Sequence, residues 1–490
     1  GPAIRVADDG PGLDDPQNLF SLGRSGWDEG MVNAEDAAGM GLFALANRGV
    51  GIIARRKATD TAWQINASAD AFAGKEPVIV SDGPDGWRGM AVIFPESLRD
   101  NLAAALRQAA RFSPLPVTFN GEALPREDFL AEADHIEDWR GIRIGIYERD
   151  TTVFSRHGNA NVHGITLRVP LPALGQLWHR SWHARIDVIH SADLKLVLPA
   201  RKEVVQNEMF SALCNEIRRV FYRLIARAGA HSLSFADHRQ AVALGISLPE
   251  AAPMLRPFLP DCADGNRAEY APPETIAPGA LLYAGADAIE EQNMARALTH
   301  WADAPTLWQP CPSFEGYAWY DRLRTITPLT YRATLDGDTV SIEPCNQGGL
   351  PERPDRLEVV LGYEGADSPL ATIGTDLLLL GSDYPCLDEA EISLIRKATI
   401  TPRELVNFFE AALFSPSDDS EAGSYDQQLQ WFCDEAEDWA VTLLQSAADA
   451  DLNLVRRIIC RDICWRLPKG CDLTIRLRGR EVSVETTSAE

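Results

Sequence analysis

The sequence predicts an α+β protein, and three observations support that class. Short apolar runs bounded by glycine, proline, asparagine or aspartate recur through the first half of the chain, a pattern typical of strands. Between them lie stretches whose apolar residues repeat at helical spacing, most clearly over 210–224. The 490 residues are 45% hydrophobic, which suffices for about three domains with buried cores.

Residues 1–95 are predicted to form a first α+β module. Residues 4–7 have the pattern of a strand, and this strand runs directly into a turn rich in aspartate and glycine over 8–12. Further short strands are each bounded by turn-forming residues, at 50–54, 62–67, 77–80 and 90–94.

Residues 96–230 are predicted as a second module. A helix opens at Glu96 and ends before Pro114, and the Asn120-Gly121 pair predicts a tight hairpin turn. Three strands and one long helix follow, at 142–147, 165–169, 186–189 and 210–224.

The rest of the chain is predicted as a connector followed by a C-terminal region. Residues 231–275 are rich in proline and alanine, which is typical of an irregular connecting segment. Residues 276–490 are predicted as an α/β region, and no motif in them identifies a client or a substrate.

The charge of the chain excludes several classes of function. The 71 acidic and 46 basic residues give a net charge of −25, which disfavours general binding to nucleic acid phosphates. No apolar run approaches the roughly 18–20 residues needed to span a bilayer, so no membrane span is predicted. Residues 361–450 hold eighteen acidic and three basic residues, a local net charge of −15. This region is either a solvated acidic helical face or a docking surface for a basic protein partner.

The cysteines and histidines do not predict a metal site. The nine cysteines include no C-x-x-C pair and are interpreted as reduced thiols, which favours a cytoplasmic location. Cys460, Cys464 and Cys471 would need a distant fourth ligand to hold a metal. His179 and His183 have the spacing of helical zinc ligands, but the tryptophans beside them favour packing. Forty arginines against six lysines indicate GC-rich bacterial coding.

Three signals with possible chemistry lie in a fixed order in the first fifty residues, at 4–13, 22–26 and 39–46. Asp8 stands at a strand end and is followed by Gly10 and Gly12. A carboxylate there can accept a hydrogen bond from an exocyclic amine such as that of adenine, and the glycines allow the backbone to approach a flat ring. Downstream, Gly39-Met40-Gly41 precedes an apolar helix, whose first N–H groups could cradle phosphates. Either motif alone is common in ordinary turns, whereas the ordered combination is specific.

The ordered motifs resemble the GHKL superfamily of ATPases, which groups the DNA gyrase B proteins, the Hsp90 chaperones, MutL proteins and sensor histidine kinases. The resemblance covers about residues 3–95 and implies a two-layer α/β sandwich of the Bergerat type that binds ATP with Mg²⁺. It implies that Asp8 reads the adenine amine and that Gly10 and Gly12 shape the pocket. The later glycines, here Gly39 and Gly41 around Met40, would close a lid over the phosphates. The segment 24–38 would be that lid.

Two departures from the superfamily pattern limit what the resemblance implies. The family's opening helix, with a Glu that activates water and an Asn that holds Mg²⁺, has no counterpart in this sequence. The chain is therefore expected to begin inside the ATPase domain and, by itself, to hydrolyse ATP negligibly. Met90 stands where a threonine usually contacts the water network around adenine, so looser base recognition is expected.

The resemblance also implies roles for the second module. In gyrase-like, Hsp90-like and MutL-like proteins the ATPase domain is followed by a transducer, related to domain 2 of ribosomal protein S5, that sends a lysine to the γ-phosphate. Residues 96–230 fit this plan, with Lys202 as the first choice and Lys195 as the second for the catalytic lysine. A surface lysine without a role is an equal alternative for each.

Three functions follow as hypotheses. The first is ATP binding and, in the full-length protein, hydrolysis that drives lid closure and conformational change in a homodimer, as in Hsp90-like chaperones and gyrase. The second is a non-catalytic nucleotide-binding or protein-interaction module. A sensor kinase is disfavoured because no membrane span and no H-x-x-x-N region are visible.

Overall fold

A computed structural model describes most of the chain. The described residues are 3–21, 41–96, 101–148, 158–179, 181–191, 193–197, 203–259, 271–344, 349–365, 368–381, 387, 390–419, 423–444, 471–478 and 481–488. They form mixed α/β structure that divides into two compact units, Gly1–Ala252 and Pro253–Glu490. Among these residues no helix is both long and apolar enough to cross a membrane.

The first unit begins with a five-stranded antiparallel sheet. Its strands are β1 (Ala3–Ala7), β2 (Val50–Arg55), β3 (Ala62–Ala67), β4 (Val80–Asp82) and β5 (Met90–Pro95). Their order across the sheet is β1-β5-β2-β3-β4, so the first strand pairs with the last. Four of the five strands lie close to their predicted positions, whereas the run predicted at 77–80 forms a strand only from Val80 onward.

One face of this sheet is covered by short helical segments. The alternating residues Val50, Ile52 and Ala54 of β2 are buried on that face, as the period of two in a strand requires. Apolar residues of three short segments pack against them: the helices Gln17–Phe20 and Ala69–Phe72, and the 3₁₀ helix Gly41–Leu45.

The second sheet of the first unit packs against one long helix. Its main path runs Ile165–Leu167, Ala160–Val162, Trp182–Val188, Ile142–Tyr147 and His135–Trp139, and Ala173–Leu174 pairs with the end of the central strand. The helix predicted over 210–224 is confirmed and extends over Glu208–Ala228. The Asn207 side chain accepts a hydrogen bond from the Phe210 N–H at 2.9 Å and caps its first turn.

The remaining elements of the first unit are short. They are the helices Leu102–Ala110 and Phe235–Ala243, and the hairpin Thr118–Phe119 with Glu122–Ala123. The helix Phe235–Ala243 lies in the segment 231–275 that was predicted as a connector, and the boundary between the two units falls within the same segment. The division into four parts along the chain stays a prediction.

The second unit is built on another mixed sheet. Its strands in spatial order are Leu307–Trp308, Leu281–Tyr283, Arg324–Leu335, Arg356–Tyr363 and Pro369–Thr375, and Asp338–Ile342 forms a hairpin with the central strand. Three further strand pairs are Met254–Leu255 with Glu274–Thr275, Leu377–Leu380 with Glu391–Leu394, and Cys471–Arg478 with Glu481–Ser488. The helices are Ala288–Thr299, Pro402–Leu413 and Tyr425–Leu444, with a 3₁₀ turn at Pro312–Phe314.

Candidate functional site

The turn that contains the predicted adenine carboxylate follows directly on β1. The Asp8 N–H donates to the carbonyl oxygen of Met90 at 2.9 Å, which extends the pairing of β1 with β5 by one residue. The Asp8 Oδ1 accepts a hydrogen bond from the Gly10 N–H at 2.8 Å, the local turn that aspartate favours. Asp8 is exposed, and within the described part of the chain its second carboxylate oxygen has no hydrogen bond. That oxygen is available to a donor from outside the protein.

The glycine at position 12 is fixed by packing against the neighbouring strand. Its φ is +82°, and a Cβ added there would lie 2.2 Å from the carbonyl oxygen of Arg55. The same oxygen accepts a hydrogen bond from the Leu13 N–H at 2.8 Å. Because a side chain would push the turn away from β2, glycine is required here. Gly89 faces the turn in the same way, since its Cβ would lie 1.9 Å from the carbonyl oxygen of Asp8.

Two side chains hold the segment that follows this turn. The fully buried indole of Trp63 donates to the carbonyl oxygen of Leu13 at 2.7 Å. The carboxylate of Asp14 accepts a hydrogen bond from the Ala58 N–H at 3.0 Å. These contacts, with those to β2 and β5, attach the turn to the sheet at several points. The Asp8 carboxylate is thus carried on backbone that the strands position, as a binding site requires.

An apolar cleft lies beside this turn, between the sheet and the helical segments that cover it. Its volume is about 290 Å³. It is lined by residues of β1 and β5, of the helix Gln17–Phe20 and of the 3₁₀ helix Gly41–Leu45, namely Val6, Leu19, Gly41, Leu42, Leu45, Met90, Val92 and Phe94. Val6 and Val92 are directly paired across β1 and β5. The cleft is close in size to the smaller pockets that bind ligands in proteins.

The structure brings together several residues that sequence reasoning connected only by resemblance. Asp8 and Met90 are 82 positions apart but hydrogen bond to each other through the backbone. Met90 and Gly41 both line the cleft. Val6, which also lines the cleft, lies in β1 two residues before Asp8. The turn and the cleft are therefore adjacent parts of one region.

The phosphate side of the predicted site is only partly described. Gly41 begins a 3₁₀ helix of five residues, shorter than the apolar helix expected after it. A Cβ added at Gly41 would meet none of the described residues within 4 Å, so their packing gives no reason for glycine there. Gly39, Met40 and the predicted lid 24–38 lie outside the described residues. Among the residues that are described, no group of three His, Cys, Asp or Glu could hold a metal ion.

The predicted transducer lysines lie in the second module. Lys195 is exposed, and its carbonyl oxygen accepts a hydrogen bond from the Val205 N–H at 2.8 Å. This contact and a single bridge between Leu196 and Val204 pair the short segments 195–196 and 204–205, which precede the helix Glu208–Ala228. Lys202 lies outside the described residues.

The histidine pair with zinc-like spacing does not lie on a helix. His183 belongs to the strand Trp182–Val188, and His179 stands in the turn before it. The i, i+4 spacing brings two ligands to one side only in a helix, so it has no such meaning here. The packing interpretation made from the sequence agrees with this geometry.

Sequence reasoning missed most of the cleft lining. Val6, Leu19, Leu42, Leu45, Val92 and Phe94 were not singled out. A signal was present in β5, since Met90, Val92 and Phe94 alternate along one strand and therefore share a face. Gly89 was also missed, although a glycine directly before a strand often marks a close approach of backbone.

Comparisons with known proteins give only partial similarities. No protein-family profile matches the chain, and no curated protein sequence matches it. The ATPase region of Saccharomyces cerevisiae topoisomerase II is 11% identical over 41% of this chain and 68% of its own, with a TM-score of 0.29. The ATPase and transducer domains of Balamuthia mandrillaris DNA topoisomerase II are 17% identical over 34% of this chain and 51% of their own, with a TM-score of 0.25. The B-subunit of Myxococcus xanthus DNA gyrase is 15% identical over 45% of this chain and 80% of its own, with a TM-score of 0.27. Similarities of this size do not establish a shared fold or function.

Proposed function

We propose that the first unit binds an adenine nucleotide in the apolar cleft, with the Asp8 carboxylate accepting a hydrogen bond from the adenine amine. The observation that carries this proposal is the hydrogen bond between Asp8 and Met90. It places the backbone of Asp8 next to Met90, which lines the cleft together with Gly41. An apolar cavity with a single polar group at its edge binds a flat, amphipathic ring and fixes its orientation.

The cleft suits the base better than it suits the phosphates. Its lining is made of aliphatic and aromatic side chains, which gain dispersion and burial energy from a ring of any purine. The flexible thioether of Met90 adapts to different ring substituents, so discrimination among purines depends chiefly on Asp8. A guanine offers a carbonyl oxygen where adenine offers the amine, and two acceptors would face each other. ATP is therefore preferred over GTP.

The phosphates would lie towards Gly41. Among the described residues nothing lies within 4 Å of the Cβ position of that glycine. The N–H groups of Gly39, Met40 and Gly41 are proposed to cradle the phosphates, and 24–38 to form a lid. Mg²⁺ would accompany ATP, but the described residues supply no group of ligands for it. No position for the metal is proposed.

Hydrolysis and coupling are proposed for the full-length protein. Closure of the lid over ATP would bring the loop after Lys195 towards the phosphates, and two copies would dimerise in the ATP-bound state. A lysine near the γ-phosphate would stabilise the charge that develops there. A carboxylate that activates water must come from outside the residues assigned to the site.

The cleft can be tested directly by photolabelling with 8-azido-ATP. Trypsin cleaves after arginine, so label in the cleft is expected in the peptides 6–24, 25–48 and 89–99, which contain Val6, Gly41 and Met90. Excess ATP should prevent the labelling, and excess GTP should prevent it less. Label found only in other peptides, or label unaffected by ATP, would contradict the proposed site.

The lysine assignment gives a separate prediction. Lys202→Ala in the full-length protein is expected to lower ATP turnover while leaving ADP affinity unchanged, because ADP lacks the phosphate that the lysine would contact. Steady-state turnover and calorimetric ADP binding measure the two effects. Lys195→Ala is the matched control, since it removes the same charge from the same loop. If Lys195→Ala lowers turnover and Lys202→Ala does not, the catalytic lysine is Lys195. If both variants keep full turnover, neither lysine has this role.

The non-catalytic alternative predicts a different outcome in the same experiments. Nucleotide would label the same peptides, and the labelling would depend on Asp8, but the full-length protein would show no turnover above background. Binding and hydrolysis are thereby separated.

A further inference from the structure

The helix Tyr425–Leu444 of the second unit has one face towards the core and one towards solvent. Ala436 and Ala440 are buried against the helix Pro402–Leu413, and Trp439 stacks on Phe409 with ring centroids 4.5 Å apart. Phe432 lies 5.4 Å from Phe414 on the same side. These residues form the buried face of the helix, and its solvent face does not contribute to this core.

Trp431 lies on the side of the helix away from this core and is 63% exposed. Its ring is directed back over the first turn, because a Cβ added at Gly423 would lie 3.8 Å from its Cη2 atom. Within the described part of the chain no other aromatic ring packs on it. Tryptophan is enriched among the residues that dominate interface energy.

Two acidic residues of this helix are sequence neighbours of Trp431 on the helix surface. Asp434 and Glu435 follow Trp431 by three and four residues, so they are its neighbours on the helix surface. Their side chains lean towards the helix N-terminus, and thus towards the turn that carries Trp431. Both carboxylates are exposed, and no ion pair to either is found among the described residues. The helix contains five acidic residues and no lysine or arginine.

A helix face that carries an exposed indole and, three and four residues on, two exposed carboxylates is complementary to an arginine-rich segment. A guanidinium group can stack on the indole face while its N–H groups donate to a neighbouring carboxylate. The local net charge of −15 over 361–450 attracts a basic segment and repels nucleic acid. We propose that the face formed by Trp431, Asp434 and Glu435 docks an arginine-rich segment of a protein partner.

Calorimetry at physiological salt measures the binding of a short poly-arginine peptide to the whole chain. Poly-lysine and poly-glutamine peptides serve as comparisons. Poly-arginine is expected to bind more tightly than poly-lysine, because only guanidinium stacks well on the indole. Trp431→Ala is expected to weaken poly-arginine binding about tenfold, the size of effect that a central aromatic residue typically has. Circular dichroism checks that this surface variant keeps its helical content.

A charge-matched pair of variants separates docking from general attraction to an acidic protein. Asp434→Lys with Glu435→Lys reverses two charges beside Trp431, and Asp426→Lys with Glu437→Lys reverses two exposed charges on the flank of the same helix. Glu437 lies about 120° round the helix from Trp431. The first pair is expected to weaken binding about tenfold and the second by much less.

Several outcomes would overturn the proposal. One is equal loss in both charge-reversal pairs, which would show attraction without a docking face. A second is that Trp431→Ala binds poly-arginine as tightly as the parent protein. A third is that the parent protein does not bind poly-arginine. If light scattering instead shows that the chain self-associates and that Trp431→Ala abolishes the association, the occupant is a second copy and not a basic segment.

Discussion

Asp8→Asn is expected to weaken ATP binding by at least about 100-fold while leaving the fold intact. The amide oxygen of asparagine can still accept the Gly10 N–H that Asp8 Oδ1 accepts in the structure, so the turn persists. The amide nitrogen then stands where the second carboxylate oxygen was, and it faces the adenine amine as donor against donor. A hydrogen bond to a charged group contributes about 1.5–3 kcal/mol, and the opposed donors add to that loss.

The control for this variant is the neighbouring residue. Asp9 is also an exposed carboxylate in the same turn, and no hydrogen bond to it is found among the described residues. Asp9→Asn removes the same charge and is expected to change ATP affinity only slightly, through screened long-range electrostatics. Calorimetric titration of the full-length protein compares the two. Equal affinities for ATP in Asp8→Asn and the parent would refute the assigned role of Asp8.

Gly12→Ala is expected to destabilise the first unit by about 2–5 kcal/mol, from two sources. Its φ of +82° is unfavourable for any residue with a Cβ, and that Cβ would lie 2.2 Å from the backbone oxygen of Arg55. The turn would have to move away from β2 and break the hydrogen bond from Leu13 N–H to the same oxygen. Urea unfolding gives the loss of stability, and hydrogen exchange at Leu13 reports the broken contact.

Two other glycines serve as controls that separate the cost of the positive φ from the cost of the close contact with Arg55. Gly86 has a φ of +70° and nothing within 4 Å of its Cβ position, so Gly86→Ala should show the conformational cost alone, about 1–2 kcal/mol. Gly41 has no described residue within 4 Å of its Cβ position, and Gly41→Ala should change stability by less than about 0.5 kcal/mol. If Gly12→Ala is no worse than Gly86→Ala, the close approach to Arg55 does not constrain the turn.

For Gly12, the sequence motif alone gives only part of the reason why glycine is needed. The resemblance assigned it to the shape of a nucleotide pocket, whereas the structure shows that the neighbouring strand requires it. Both can hold, because a turn held tightly against the sheet is what positions the Asp8 carboxylate. The packing reason could not be read from the sequence, since Arg55 is 43 positions away and its approach depends on how the strands pair.

The local elements followed from the sequence because their causes are local. The strands β2, β3 and β5 were predicted from short apolar runs between turn formers, and the helix Glu208–Ala228 from residues repeating at helical spacing. The order of the motifs around Asp8 and Gly41 was equally visible. Each of these features depends on residues within a few positions of one another.

The tertiary structure alone decided what lies next to what. The pairing of β1 with β5 joins the two ends of the first module and places Asp8 against Met90. The cleft follows from that pairing, as does the sharing of one face by Val6 and Val92. The exposure of Trp431 likewise depends on which side of its helix meets Pro402–Leu413. Pairing and packing are set by burial summed over distant segments, so the sequence determined the parts and only the folded chain determined the site they make.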